Sequence, residues 1–417
     1  MTRPSGVLLV PITWLLLAKL TSACDDVVGE AIVKAPSEIG GGTSGTGGGA
    51  GTGAGEVGGE ATGGDAGAGA GGGEGGAAGA NTGGTTTSGG TNTGGGGANA
   101  GGAAGGGTSG GTNTGGNVGQ PPCPVQLVGF GAVGDGVTGG LNGSVVKVTT
   151  TAQFKTEAMK TEPVIIQIDS QLTLTEQIRP KADKTIVGVG KNAELTGGGL
   201  YILDTHNVIV QNLKISKAVG EDAITIQNSQ RVWVDHCDLS SDLSQPKETY
   251  DDLVAVTHGS DNVTVSWTHF HDHYAVALIG HSNSADATTE DTNHLTVTFH
   301  HNWFSDTQAN EPRVRFGTVH VFNNLFQRTA ANAVISQMGA QVLVESNVFQ
   351  SVLVPITTSY EDPLEGFVIE RENTFSTDSG ANQITQTGTW APTYPYNADS
   401  AGNVEFLVSA CAGVGKI

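Results

Sequence analysis

The sequence predicts an all-β protein: a single right-handed parallel β-helix over residues 123–417, preceded by a disordered Gly-rich tether. Three observations carry that prediction. An Asn-x-Phe tripeptide recurs at Asn302-Trp-Phe304, Asn324-Leu-Phe326, Asn347-Val-Phe349 and Asn373-Thr-Phe375, at successive spacings of 22, 23 and 26 residues. Short β-branched runs alternate upstream of it at Val208-Ile-Val210, Val232-Trp-Val234, Val263-Thr-Val265 and Leu295-Thr-Val297. Glycine, 65 of 417 residues, is concentrated between residues 40 and 119.

The repeat decides the architecture. Each run spans four to six residues bounded by Gly, Asn, Asp or Ser, the signature of short strands between turns. A unit of that size cannot close its own core, but it can stack on copies of itself, apolar residues inward and turn asparagines forming hydrogen-bonded ladders between coils. The period is too short for a propeller blade, and no helical period separates the strands as a βαβ unit requires. An antiparallel sandwich is the competing arrangement.

In the Gly-rich tract, Gly, Thr, Ala and Asn alternate with almost no large apolar side chain. Such a stretch cannot bury enough surface to offset its ordering entropy, which predicts a flexible linker over residues 24–122. Ahead of it, Arg3 precedes an apolar run over residues 7–20, interrupted by Pro11 and Lys19. That run is short for a membrane span and fits a signal peptide over residues 1–23. It ends Leu20-Thr21-Ser22-Ala23-Cys24, which resembles a bacterial lipoprotein cleavage box with Cys24 lipidated. Thr21 departs from the Leu usual there, and ordinary cleavage after Ala23 is the alternative. Both readings predict an exported, extracellular or cell-surface protein whose contact with a membrane is limited to a lipid on Cys24.

The remaining cysteines are Cys123, Cys237 and Cys411. In an oxidising compartment Cys123 and Cys411, which flank the folded part, could staple its ends, whereas Cys237 reads as buried in a strand. No CxxC spacing suggests a thiolate metal site. Residues 123–417 carry 32 acidic residues against 16 basic ones, a formal charge of −16. That argues against nucleic acid as a partner, and an anionic ligand would need a bridging cation.

Beyond these patterns, the chain resembles the pectate lyase family (polysaccharide lyase family 1) over nearly the whole folded part. The resemblance rests on Lys184-Thr-Ile-Val-Gly-Val-Gly190, Asn207-Val-Ile-Val-Gln-Asn-Leu213, Asp222-Ala-Ile-Thr-Ile226, Val232-Trp-Val-Asp-His236, Val263-Thr-Val-Ser-Trp267, Leu278-Ile-Gly-His281, Phe299-His-His-Asn302, Pro312-Arg-Val-Arg-Phe-Gly317 and Ala412-Gly-Val-Gly-Lys416. Their order and spacing imply the same β-helix as the repeat. They further imply β-elimination on polygalacturonate or a related uronan. In that chemistry Ca²⁺ held by acidic residues binds the uronate carboxylate, and an arginine removes the C5 proton.

Carried onto this chain, the resemblance makes Asp222 and Asp251 the Ca²⁺ ligands of a partial site, though aspartates there also cap turns. A third acidic position falls on Ala255. Asp252 stands where relatives carry Gly and, in a regular strand, faces away from 251 and 255. The family's base arginine falls on Asn310, a neutral amide that cannot take a proton. A substrate-binding lysine falls on Ala275. Arg315 matches a carboxylate-binding arginine, and Arg313, on the same strand, is either a second substrate contact or structural. His271, His273, His300 and Glu311 are candidate replacement bases if they face the groove. The histidines crowded between His258 and His301 show no HExxH-type spacing. Two functions follow: an active lyase with altered catalytic groups, or a non-catalytic, surface-tethered carbohydrate-binding β-helix.

Overall fold

A computed structural model describes residues 123–417. The signal peptide expected over 1–23, the lipidation of Cys24 and the linker over 24–122 lie outside the described residues. Within them the chain is a right-handed parallel β-helix of about 10 coils, all of whose strand pairs between named strands are parallel. Three sheets run along it, of ten, nine and seven strands.

Register follows the sequence repeat. In the ten-stranded sheet Val208, Val232, Val263, Val297, Val319, Val342 and Val368 pair one above the next, all of them buried. The Asn-x-Phe tripeptide lies at the corner leading into the nine-stranded sheet. Its Phe side chains, Phe304, Phe326, Phe349 and Phe375, stack inside the helix on one another and on Phe270 of the coil before, with centroids 4.9, 4.8, 4.5 and 5.1 Å apart from Phe270 onward. Its asparagines form the predicted ladder: the Oδ1 atoms of Asn324, Asn347 and Asn373 accept the backbone N–H of Asn302, Asn324 and Asn347 at 2.8–2.9 Å.

The residue before each ladder asparagine bends the corner. His301, Asn323, Ser346 and Glu372 have φ between 52° and 58°, and Asn212, His236 and Trp267 repeat that left-handed turn in earlier coils. One residue in this region turns the chain from one sheet into the next, which few side chains other than Asn and Asp favour.

Among the described residues there are three α-helices, Thr151–Ala158, Ala285–Asp291 and Ala401–Cys411. The last lays Val404 and Val408 on Leu325 and Val348 of the nine-stranded sheet. It ends at Cys411, which is bridged to Cys123 with a Cα–Cα distance of 5.3 Å. Cys237 is fully buried, and burial pushes its thiol up to about 12, the inert cysteine expected from its setting.

Candidate active site

The seven-stranded sheet carries the site on its outward face. Its strands Ile224–Gln227, Val254–Thr257, Ala277–Ile279 and Arg313–Arg315 are consecutive neighbours. Register puts Thr225, Ala255, Leu278 and Arg313 in one file across them. A cleft of about 250 Å³ opens over the first three of these positions, lined by Asp222, Asp251, Asp252, Ala255, Ala275 and Lys247 among others.

At one end of the cleft, Asp222, Asp251 and Asp252 each bring a carboxylate oxygen to within 4.8 Å of the other two. Asp222 precedes its strand and is fixed by it: its Oδ2 accepts from Thr225 Oγ1 at 2.6 Å, and its Oδ1 from the backbone N–H of Asp252 at 3.1 Å. Gln177 steadies Thr225 and the Asp222 carbonyl, both at 2.9 Å. Burial, with the nearby charge of Asp251, pushes Asp222 up to about 7.

Asp252 departs from the expectation that it faces away. The strand begins only at Val254, so residues 251–253 do not follow strand alternation, and Asp252 turns into the acidic group. No bulge is needed. Ca²⁺ takes six to eight oxygen ligands, and three converging carboxylates, with the charge of Asp251 already felt at Asp222, fit such a cation. Ala255, beside Thr225, adds no oxygen from its side chain.

Lys247 was missed by motif matching. It stands in the 241–250 segment, which crosses beside Asp222 through the bridge between Val219 and Tyr250. The segment is anchored from the next coil, where Tyr274 Oη donates to the Leu243 carbonyl at 3.1 Å and His273 Nδ1 meets Ser241 Oγ at 2.6 Å. Lys247 is the only lysine or arginine among the described residues lining the cleft. His258 and His281 line its far side, stacked at 4.0 Å, with His258 Nδ1 2.6 Å from Glu290.

The candidate replacement bases fall elsewhere. His273 is buried, and burial pushes it down to about 4; His300 is buried in the wall, and its ring is likewise held well below the ordinary histidine range by that burial. Burial pushes Glu311 up to about 7, against hydrogen bonds from the hydroxyls of Thr307 and Thr329 that favour its charged form. His271 lies on the nine-stranded sheet. None of the four lines the cleft.

Asn310 is buried at the corner before the Arg313–Arg315 strand, with φ 64°. Its carbonyl accepts from Ala277 N–H at 2.7 Å, and its N–H donates to the Asn332 carbonyl at 3.0 Å. Arg313 and Arg315 are both buried and meet the same carboxylate. Arg315 Nε donates to Asp362 at 2.6 Å and its Nη1 to the Gly280 carbonyl at 3.0 Å. Arg313 donates to Gln337, Glu361 and Asp362, with its guanidinium 4.9 Å from the centre of the Tyr360 ring.

A parallel β-helix with an acidic cleft on one sheet and arginines beside it is the kind of scaffold that polysaccharide lyases use. The family model described as pectate lyase matches residues 75–417, and the chain belongs to the pectate lyase family. It is 35% identical over 310 residues to a pectate trisaccharide-lyase of Bacillus licheniformis, covering 71% of this chain and 89% of that one. It is 39% identical over 289 residues to pectate lyase B of Colletotrichum gloeosporioides, covering 69% and 85%. Among solved structures, a pectate lyase from Bacillus sp. N165 in complex with trigalacturonate superposes with a TM-score of 0.64 at 28% identity, covering 70% of this chain and 99% of that one.

Proposed function

We propose that this protein is an exported polysaccharide lyase that cleaves polygalacturonate or a related uronan by Ca²⁺-assisted β-elimination. The observation that carries the reading is the convergence of Asp222, Asp251 and Asp252 at the cleft, with Lys247 lining the same space. The acidic group would hold the cation. Calcium bound there would offset the charge of a uronate carboxylate and so stabilise negative charge developing at C5. Thr225 and Gln177 keep Asp222 oriented while that happens.

In this reading Lys247 carries the positive charge that relatives place at the positions of Ala275 and Asn310. Lys247 is the cleft side chain to which this reading gives the C5 proton. A lysine can serve so where an amide cannot, because it has a lone pair to offer once neutral. Substrate binding is shared with Arg315 and Arg313. The trigalacturonate complex of the Bacillus sp. N165 relative supports an acidic oligosaccharide as the ligand class.

One observation favours a second reading, a carbohydrate-binding protein without turnover. Asn310, where the family's base arginine falls, is a buried amide that takes no proton, and none of the four candidate replacement bases lines the cleft. One assay separates the two. The full chain is incubated with polygalacturonate, with Ca²⁺ or with chelator, and the ultraviolet absorbance of unsaturated product is followed. A Ca²⁺-dependent rise supports the lyase. Binding by co-sedimentation with a flat trace rejects it in favour of the second reading.

A further inference from the structure

A second group of ligand-type side chains lies on the nine-stranded sheet. His269 and His271 alternate on the strand His269–Ala275 and so share one face. Asp238 pairs with His269 from the preceding coil. Asp238 Oδ1 is 3.2 Å from His271 Nε2, and its Oδ2 is 3.7 Å from His269 Nδ1. One ligand-type atom from each of the three lies within 4.8 Å of the others.

Two features distinguish this group from a chance cluster. The first is the support on the far side of each ring. His271 Nδ1 is 2.7 Å from the Asp272 carboxylate, and His269 Nε2 is 2.8 Å from Ser305 Oγ. A metal-bound imidazole is held in this way: its outer nitrogen gives a proton to a carboxylate or hydroxyl, which directs the inner lone pair at the ion. The second is rigidity. The His269 ring is sandwiched between His271 and the indole of Trp303, at centroid distances of 4.4 and 4.2 Å, and Trp303 is itself pinned to Gln327 at 2.8 Å.

The spacing suits a small ion. Ligands about 2.0–2.1 Å from a tetrahedral Zn²⁺ lie roughly 3.3 Å from one another. The three side chains retain 19–22% exposure, so an ion can reach them and keep a water. Two imidazoles and one carboxylate select a borderline transition metal over Ca²⁺, which prefers oxygen throughout.

We propose that Asp238, His269 and His271 form a binding site for a divalent transition-metal ion of the Zn²⁺ type, on a different sheet from the cleft. The ion would cross-link two consecutive coils.

The test uses the full, untagged chain, stripped with chelator and held in excess Ca²⁺ so that oxygen-rich sites are filled. Zn²⁺ is titrated calorimetrically, and Co²⁺ is titrated by its visible absorption. The expected result is one equivalent of Zn²⁺, weakened at least tenfold in His269→Ala and His271→Gln and unchanged in His258→Ala, which opens the other His-His-Glu group. Asp272→Asn weakens Zn²⁺ binding by about 10–100-fold, the usual effect of losing an outer carboxylate. Saturating Zn²⁺ at about 100 times Kd raises Tm by roughly 4 °C in the wild type and not in His271→Gln. Apo His271→Gln melting close to the apo wild type shows that the fold is intact and the loss local. Absence of stoichiometric binding to the wild type overturns the proposal, as does binding that survives both histidine substitutions or disappears in His258→Ala.

Discussion

Asp362 Oδ2 lies 2.6 Å from Arg315 Nε, while its Oδ1 accepts from Asn283 Nδ2 at 2.9 Å. A carboxylate of the protein itself therefore occupies the arginine that the family resemblance assigns to a uronate carboxylate. Arg313 reaches the same Asp362 oxygen at 3.3 Å, so two cations share the anion.

The first prediction follows from that pairing. Asp362→Asn removes the competing charge and should tighten binding of trigalacturonate by about tenfold, the scale of one charge-assisted hydrogen bond. The same change leaves buried guanidiniums with less compensation, so stability should fall by about 1–3 kcal/mol. Calorimetric titration and urea unfolding read the two effects separately. Unchanged affinity in a folded variant would mean that Arg315 takes no part in binding.

The acidic group predicts a pH dependence. Asp222 titrates near 3.9 in an unfolded chain, and burial beside Asp251 pushes it up to about 7 in the fold. Between those values the folded state holds a proton that the unfolded state has released. Its stabilising contribution is therefore complete below about pH 4 and is lost as pH rises through about 7. Glu311, buried and pushed up to about 7, adds a trend of the same sign. The difference between wild type and Asp222→Asn isolates the aspartate. In chelator the wild type should lose more stability than the variant between pH 5 and pH 8. Ca²⁺ should restore it at pH 8 and do little at pH 5.

The cleft lysine gives the third prediction. Lys247→Ala should lower Ca²⁺-dependent release of unsaturated product by 100-fold or more, within the usual contribution of a general base of about 10²–10⁴. Retained activity would remove Lys247 from the chemistry. If the wild type proves inactive, Asn310→Arg with Ala255→Asp and Ala275→Lys tests whether those three positions account for it. Arg at 310 must leave a buried corner whose backbone is tied to Ala277 and Asn332. Restoration should therefore be partial.

Much of the fold was legible in the sequence because a β-helix writes its register as a repeat. The Asn-x-Phe spacing located both the ladder and the Phe stack, since each coil must return those two positions to the same corner. A motif led to Asp222, which lines the cleft, and to Arg315, which does not and is held by Asp362 instead. Asp252 was misjudged because the start of its strand, at Val254, depends on pairing between coils rather than on local pattern. Lys247 was invisible because the path of the 241–250 segment is set by Tyr274, some thirty residues on in the next coil. Asp362 was invisible for the same reason, being 47 residues from the arginine it binds.

The ladder itself supplies the last prediction. Asn324 lies in its middle and is fully buried. Its Nδ2 donates to the carbonyls of Phe299 and Phe322 and to Asn347 Oδ1 at 3.0–3.1 Å, while its Oδ1 accepts from both the N–H and the Nδ2 of Asn302. Asn324→Ala strands groups on the coils to either side with no water to replace the amide. Each buried group left unmatched costs about 1–3 kcal/mol, so the loss should be about 4 kcal/mol overall. Asn373, at the end of the ladder, also accepts from the coil before it, but it is only partly buried and one of its donor contacts is to the exposed Glu370 side chain. Water can compensate there, and Asn373→Ala should cost less than half as much. Urea unfolding of the two variants side by side decides the matter. Equal losses would show that the ladder acts through the left-handed corner it adjoins and not through its buried amides.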